Sequence, residues 1–194
     1  MRAINHFATT VLLDDGSPGA ETLRQRLQSV DCEPHIVHLD RRAVEPPWSA
    51  LLAATPQGLE RGLLFMAPQV ALDSPAWSRH DRAVEQLETV DWQVAYLGHA
   101  EGAGDGIGDD GPGTRLQRSD RVPEQLCALA LRGQTLREVL ELMPTRPVNG
   151  NFGASEWLTI AAWLALDRHG RSRSWLAWPA LMRHAPAPAV SVVA

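Results

Sequence analysis

The feature that most restricts this chain lies near its start. There an apolar, β-branched run gives way to a turn, a helix and a second apolar run inside some 32 residues. Ala8-Thr9-Thr10-Val11-Leu12-Leu13 has the composition of a buried strand. It stops at Asp14-Asp15-Gly16-Ser17-Pro18-Gly19, where glycine and proline impose conformations that no strand continues through. The spacing of Leu23, Leu27 and Val30 predicts a helix over Ala20 to Val30, and His35 to Leu39 reads as the second strand. Strand, helix and strand at this spacing form a βαβ unit, whose strands must be parallel.

The rest of the chain repeats the alternation. Gly62 to Met66 is a short apolar strand, and Ser74 to Leu87 a helix with Pro75 at its first position and Trp77, Val84 and Leu87 inward. Trp92 to Gly98 is a further strand, with Trp92, Val94 and Tyr96 on one face and Gln93, Ala95 and Leu97 on the other. Glu101 to Gly113 is rich in Gly and Asp, lacks an apolar period, and is expected to be a mobile loop. A strand at Gln125 to Leu131 and a helix at Thr135 to Met143 follow. A second helix at Ser155 to Asp167 is expected to turn Trp157, Ile160, Trp163 and Leu164 inward. The expected architecture is α/β: a single domain over residues 1–184 with a mixed, mainly parallel sheet flanked by helices, and a C-terminal tail over 185–194.

Composition removes whole classes of function. All 18 basic residues are arginine, so neither a phosphate-loop lysine nor a lysine Schiff base is available. Arginine together with abundant Ala, Gly and Pro is what GC-rich coding produces. A net charge of −5 gives no basis for nucleic-acid binding. No apolar stretch is long enough for a membrane span, and Met1 to Leu13 lacks a signal-peptide core. Cys32 and Cys127 belong to no C-x-x-C pair, which fits a reducing cytoplasm better than a disulfide framework or a thiolate zinc site.

Open α/β sheets bind ligands at the carboxyl ends of their strands. The polar residues expected there are Asp14, Asp15 and Asp40, the Gly98-His99 pair, and Asn149 with Gly150. Strand-end carboxylates hold ribose hydroxyls, sugar hydroxyls or metals, and they also cap turns for local reasons. His35 and His38 are three apart, so a strand turns them to opposite faces and away from a shared ion. Asp105, Asp109 and Asp110 do not have calcium-loop spacing. Hydrolase, zinc-protease and dinucleotide-binding motifs are absent.

Four stretches, taken in order, resemble a shortened family 25 glycosyltransferase, the lipopolysaccharide and procollagen type with a GT-A fold. They are the opening βαβ unit with Glu21 to Leu27 and His35-Ile36-Val37, the run Leu63 to Asp73, the segment Asp91-Trp92-Gln93-Val94-Ala95-Tyr96-Leu97-Gly98, and Leu126 to Gly150 with Arg146-Pro147-Val148-Asn149. The third is similar to the family's D-W-D-x-x-x-L-G and the fourth to a stretch ending in P-V-D. Asp14-Asp15-Gly16-Ser17-Pro18 also echoes the D-D-G-S-P turn of family 2 glycosyltransferases.

The resemblance implies a truncated GT-A-like fold and a nucleotide-sugar ligand, with Asp14, Asp15 and Asp40 toward the nucleotide and His99 or Asn149 toward the acceptor. It also implies a divalent metal on an acidic motif, but the E-D-D positions here read Ala67, Pro68 and Gln69. No cofactor is therefore expected, and no metal ligand is assigned. Arg41, Arg42 and Arg61 are the candidates to replace the metal's charge. Two functions follow: a glycosyltransferase-like protein with a metal-independent or inactive site, or a pseudoenzyme that binds a partner protein or small ligand.

Overall fold

The computed structural model describes residues 4, 6–39, 51, 58–71, 77–100, 115–143, 153–169, 173–178 and 180–184. The expected loop over 101–113 and the tail over 185–194 lie outside them. The chain begins β1 (Thr9–Asp14), α1 (Pro18–Gln28), β2 (His35–His38), a one-turn helix α2 (Gly58–Arg61) and β3 (Leu63–Met66). It continues through β4 (Val70–Ala71), α3 (Trp77–Thr89), β5 (Val94–Gly98), β6 (Arg115–Arg118) and β7 (Ala128–Leu131). The last elements are α4 (Gly133–Leu142), α5 (Ala154–His169), β8 (Ser174–Trp178) and β9 (Arg183–His184).

Seven strands form one sheet in the order β2-β1-β3-β7-β5-β8-β6, and β4 pairs separately with β9. β2, β1, β3, β5 and β8 point one way, while β7 and the edge strand β6 oppose them. The sheet is thus mixed, with most strands co-directional, flanked by helices as the alternating sequence requires. β3, β5 and β7 are buried at every position, which is why their sequences are continuous apolar runs and not alternations.

Pairing puts Leu13, Phe65 and Leu131 on a common face. Val139, Leu140 and Met143 of the α4 region pack there with Trp157, Leu158 and Ala161 of α5. On the opposite face Cys32, just past α1, is buried near Thr10. The inner stripe of α5 differs from the one the aromatic spacing predicts. Trp157 is buried and Ile160 and Leu164 pack half-buried against the core, but the fully buried stripe runs through Ala154, Leu158, Ala161, Ala162 and Ala165, and Trp163 is 56% exposed. Alanines let the helix approach its neighbours closely, and a pattern weighted by large side chains overlooks them.

Three element starts shift for identifiable reasons. β5 begins at Val94, two residues late, because the carbonyls of Asp91 and Trp92 accept from Trp175 Nε1 (3.2 Å) and Arg132 Nε (2.8 Å) instead of joining a ladder. β7 begins three residues late because Gln125 takes a positive φ of 48°, which a strand cannot contain. α1 begins earlier, at Pro18, whose fixed φ suits a first helical position. Gly62 turns the chain into β3 with φ +83°, and a Cβ there would stand 2.6 Å from Trp92 Cη2.

Leu97 is fully buried in β5, between β7 and β8. An unpaired carboxylate there costs several kcal/mol, against a total stability of about 5–15 kcal/mol. Leu97→Asp should therefore abolish soluble expression, whereas Leu97→Met should give a soluble protein with a cooperative thermal melt. Gly62→Ala should lower the melting temperature through both its φ and the Trp92 contact.

Candidate functional site at the carboxyl edge of the sheet

β1 and β3 end side by side, and their co-directional pairing brings the expected ligand-binding residues to one edge. At the end of β1 the chain leaves the sheet through two consecutive side-chain-to-backbone turns. Gly16 N–H donates to Asp14 Oδ1 at 2.8 Å and Ser17 N–H to Asp15 Oδ1 at 3.1 Å, with Gly16 at φ +78°. One oxygen of each carboxylate thus shapes the turn. The other two diverge, as neighbours in an extended chain do. Asp14 Oδ2 meets His38 Nδ1 of β2 at 2.9 Å, and Asp15 Oδ2 points toward Gly153 at the start of α5, 3.9 Å from where a Cβ would stand.

At the end of β3 residues 67–69 form a tight turn. Ala67 N–H donates to Cys127 O at 2.9 Å, and Val70 N–H returns to Ala67 O at 3.1 Å. The first turn of α1 packs on it, since a Cβ on Gly19 would lie 3.2 Å from Pro68 O. The Ser155 hydroxyl of α5 donates to Gln69 Oε1 at 3.4 Å. Glu156 folds back over Gly153, its Oε2 2.8 Å from that residue's Cβ position. This is the third helical position, from which an acid commonly reaches back over a helix start. The edge therefore gathers Asp14, Asp15, Gln69, Ser155 and Glu156, with the N-termini of α1 and α5.

A divalent metal of the kind the resemblance implies does not fit here. The turn at 67–69 presents one neutral amide oxygen and no carboxylate. The two aspartates diverge, and among the described residues no group of three or more His, Cys, Asp or Glu is placed to hold an ion. His35 and His38 pair with Val11 and Asp14 of β1, three positions apart and on opposite faces.

The other expected residues are not all brought together. His99 lies just past β5, three strand positions from β1, or about 14 Å at ordinary strand spacing. It is 1% exposed, with Nε2 3.0 Å from Ala177 O, so it binds β8 to β5 and presents no ring to solvent. Arg61 sits at the opposite edge, before the amino end of β3, where its guanidinium donates to His6 O at 3.0 Å. Its reach is to the wrong side of the sheet to replace a metal at the 67–69 turn. Asp40, Asn149, Arg41 and Arg42 lie outside the described residues. Sequence reasoning passed over Gly153, Ser155 and Glu156. The signal for them was local: Gly-Ala-Ser-Glu before an apolar run marks a helix start with an acid at its third position.

Neither cysteine is activated for chemistry. Both are free and buried; burial pushes the Cys127 thiol up to about 12 and raises Cys32 as well. Burial likewise pushes the Tyr96 phenol up to about 12, with the nearby Ser174 hydroxyl pulling slightly the other way. His6 is held below its ordinary value, first by desolvation, which outweighs the attraction of Glu88 3.2 Å away.

No protein-family model, no curated protein and no solved structure matches this chain.

Neither cysteine should react with a thiol reagent at pH 8 in the native protein, and both should react once denaturant is added. Rapid native labelling would mean the core opens locally. The lowered pKa of His6 sets a second expectation. The unfolded chain takes up the proton at about pH 6.5, before the folded chain does, so stability is complete above that pH and falls as pH drops through it. Thermal melts from pH 7.5 to 5 should show this decline, and His6→Gln should flatten it.

Proposed function

We propose that the chain is a glycosyltransferase-like domain that binds a nucleotide sugar, or a ligand of similar chemistry, at the carboxyl edge of β1 and β3 without a divalent metal. One observation carries this reading. Asp14 and Asp15, the start of α1 and the carboxylate-free turn at 67–69 all meet at that edge, the position at which open α/β sheets take nucleotides. A carboxylate at the end of β1 accepts hydrogen bonds from ribose or sugar hydroxyls. A diphosphate needs positive charge, and the start of α1 offers it: the Ser17 hydroxyl makes no capping bond there. The start of α5 is less available, since its own Glu156 lies over it.

The magnitudes separate binding from turnover. A helix N-terminus contributes about 0.3–2 kcal/mol toward an anion, whereas a metal supplies several kcal/mol to a departing phosphate. Binding is within reach of the residues present; fast metal-assisted transfer is not. The alternative, a pseudoenzyme that serves as a partner-binding module, draws on the same missing carboxylates and on the exposure of Trp163 and Leu142 on packed helices α5 and α4.

Calorimetry with UDP-, GDP- and CMP-linked sugars tests the proposal. At least one should bind equally well with manganese and with chelator. Asp15→Asn keeps an oxygen for the Ser17 N–H but removes the charge, so it should weaken binding roughly tenfold or more while barely moving the melting temperature. Affinity that depends on manganese would place a metal site in this edge after all. Absence of binding to every sugar would leave the partner-binding reading in front.

A further inference from the structure

The opposite edge of the sheet carries a second concave feature, independent of the carboxyl edge. At the amino ends of β5 and β8, a cleft of about 350 Å³ is lined by Val90, Asp91, Arg118, Arg173 and Trp175. That volume is at the lower end of small-ligand sites. Antiparallel pairing sets Arg118, the last residue of β6, opposite Trp175 of β8, and the guanidinium lies over the indole with its carbon 5.5 Å from the ring centroid. Trp175 is itself fixed by its Nε1–H, which donates to Asp91 O at 3.2 Å. A guanidinium placed over an aromatic ring keeps N–H groups available for an oxyanion. Arg118 has no carboxylate partner among the described residues.

The charge balance of the cleft is unusual for this protein. Asp91 is its only carboxylate among the described residues, 66% exposed, and two arginines share it: Arg173 Nε at 2.9 Å and Arg132 Nη2 at 3.7 Å. With Arg118, three guanidiniums stand around one carboxylate in a chain whose net charge is −5. Arg132 is anchored from below, stacked on Trp92 at 4.7 Å and bonded to its carbonyl.

The geometry points to a binding site for a small phosphate monoester, held between Arg118 and Arg173. A monoanionic carboxylate entering here only exchanges with Asp91 for Arg173. A phosphate dianion engages both guanidiniums and is the better competitor. Its binding strengthens as pH rises through about 6, where the phosphate takes its second charge.

Calorimetry at low salt with phenyl phosphate and benzoate, which share a ring and differ in charge, tests the assignment. Phenyl phosphate should bind at least tenfold more tightly than benzoate. Arg118→Gln, at an exposed edge position, should weaken it tenfold or more, and Asp91→Asn should tighten it severalfold by releasing Arg173. If Asp91→Asn does not melt cooperatively, Arg118→Lys replaces it in the test: it keeps the charge, loses the flat fork, and should weaken binding. Equal affinity for the two probes, or an unchanged affinity in Arg118→Gln, overturns the proposal. Asp15→Asn should leave phenyl phosphate binding intact, which separates this site from the one at the carboxyl edge. A nucleotide-sugar signal lost in Arg118→Gln belongs to this cleft.

Discussion

β7 is the strand on which the rest of the sheet depends. It lies in the middle of the order and runs against its neighbours, bonding β3 on one side and β5 on the other. Among the described residues, the two parallel groups, β2-β1-β3 and β5-β8, meet in the ladder only through it. Its sequence, Ala-Leu-Ala-Leu, alternates small and large side chains. The leucines fill the face under α4 and α5, and Ala128 lies where Gly98 of β5 comes close. A Cβ on Gly98 would stand 2.8 Å from Cys127 Sγ and 2.9 Å from Ala128 Cβ. The ladder is extended past the strand by Cys127, whose N–H reaches Gly98 O at 2.8 Å and whose O accepts from Ala67 at 2.9 Å. The join between the halves is therefore also what holds the turn at 67–69 in place.

That arrangement governs what the carboxyl edge offers a ligand. The turn after β3 is tied to Cys127, and the turn after β1 is shaped by Asp14 and Asp15 themselves. The edge is thus built largely from backbone held in position before any ligand arrives. The two aspartates leave β1 in different directions, one toward β2 and one toward α5, which favours hydrogen bonding to separate hydroxyls over chelation of one ion. Preorganised single contacts of this kind support recognition more readily than catalysis, which needs charge stabilisation at one developing centre.

The two edges differ in electrostatic character. At the carboxyl edge, acidic side chains predominate and the compensating charge comes from helix dipoles. At the amino edge, guanidiniums outnumber carboxylates and are held by aromatic stacking, Arg118 on Trp175 and Arg132 on Trp92. The tryptophans are thus not all used in the same way. Trp157 fills the core, Trp92 and Trp175 carry cations, and Trp163 faces solvent.

The α/β class, the first βαβ unit and the identity of most interior strands were legible from sequence. Each depends on a contiguous apolar run interrupted by Gly, Pro or Asp, and such runs have few ways to bury themselves. The lack of a carboxylate at 67–69 is plain from sequence, because it is a matter of which residues are present. Strands β6 and β8 were not: Arg-Leu-Gln-Arg carries no apolar run and is a strand only because β8 pairs with it, and Ser-Trp-Leu-Ala-Trp follows directly on an arginine-rich stretch. On α5 the expected Trp157, Ile160 and Leu164 do pack on the core, but Trp163 was misjudged and the alanines passed over, because close helix packing selects alanine, the side chain a hydrophobic pattern weighs least. Tertiary pairing alone decided that His99 is buried under β8, that Ser155 and Glu156 join the carboxyl edge, and that Arg118 and Arg173 share a cleft. Those residues are tens of positions apart, and the contacts exist only because separate strands and helices end at the same side of one sheet.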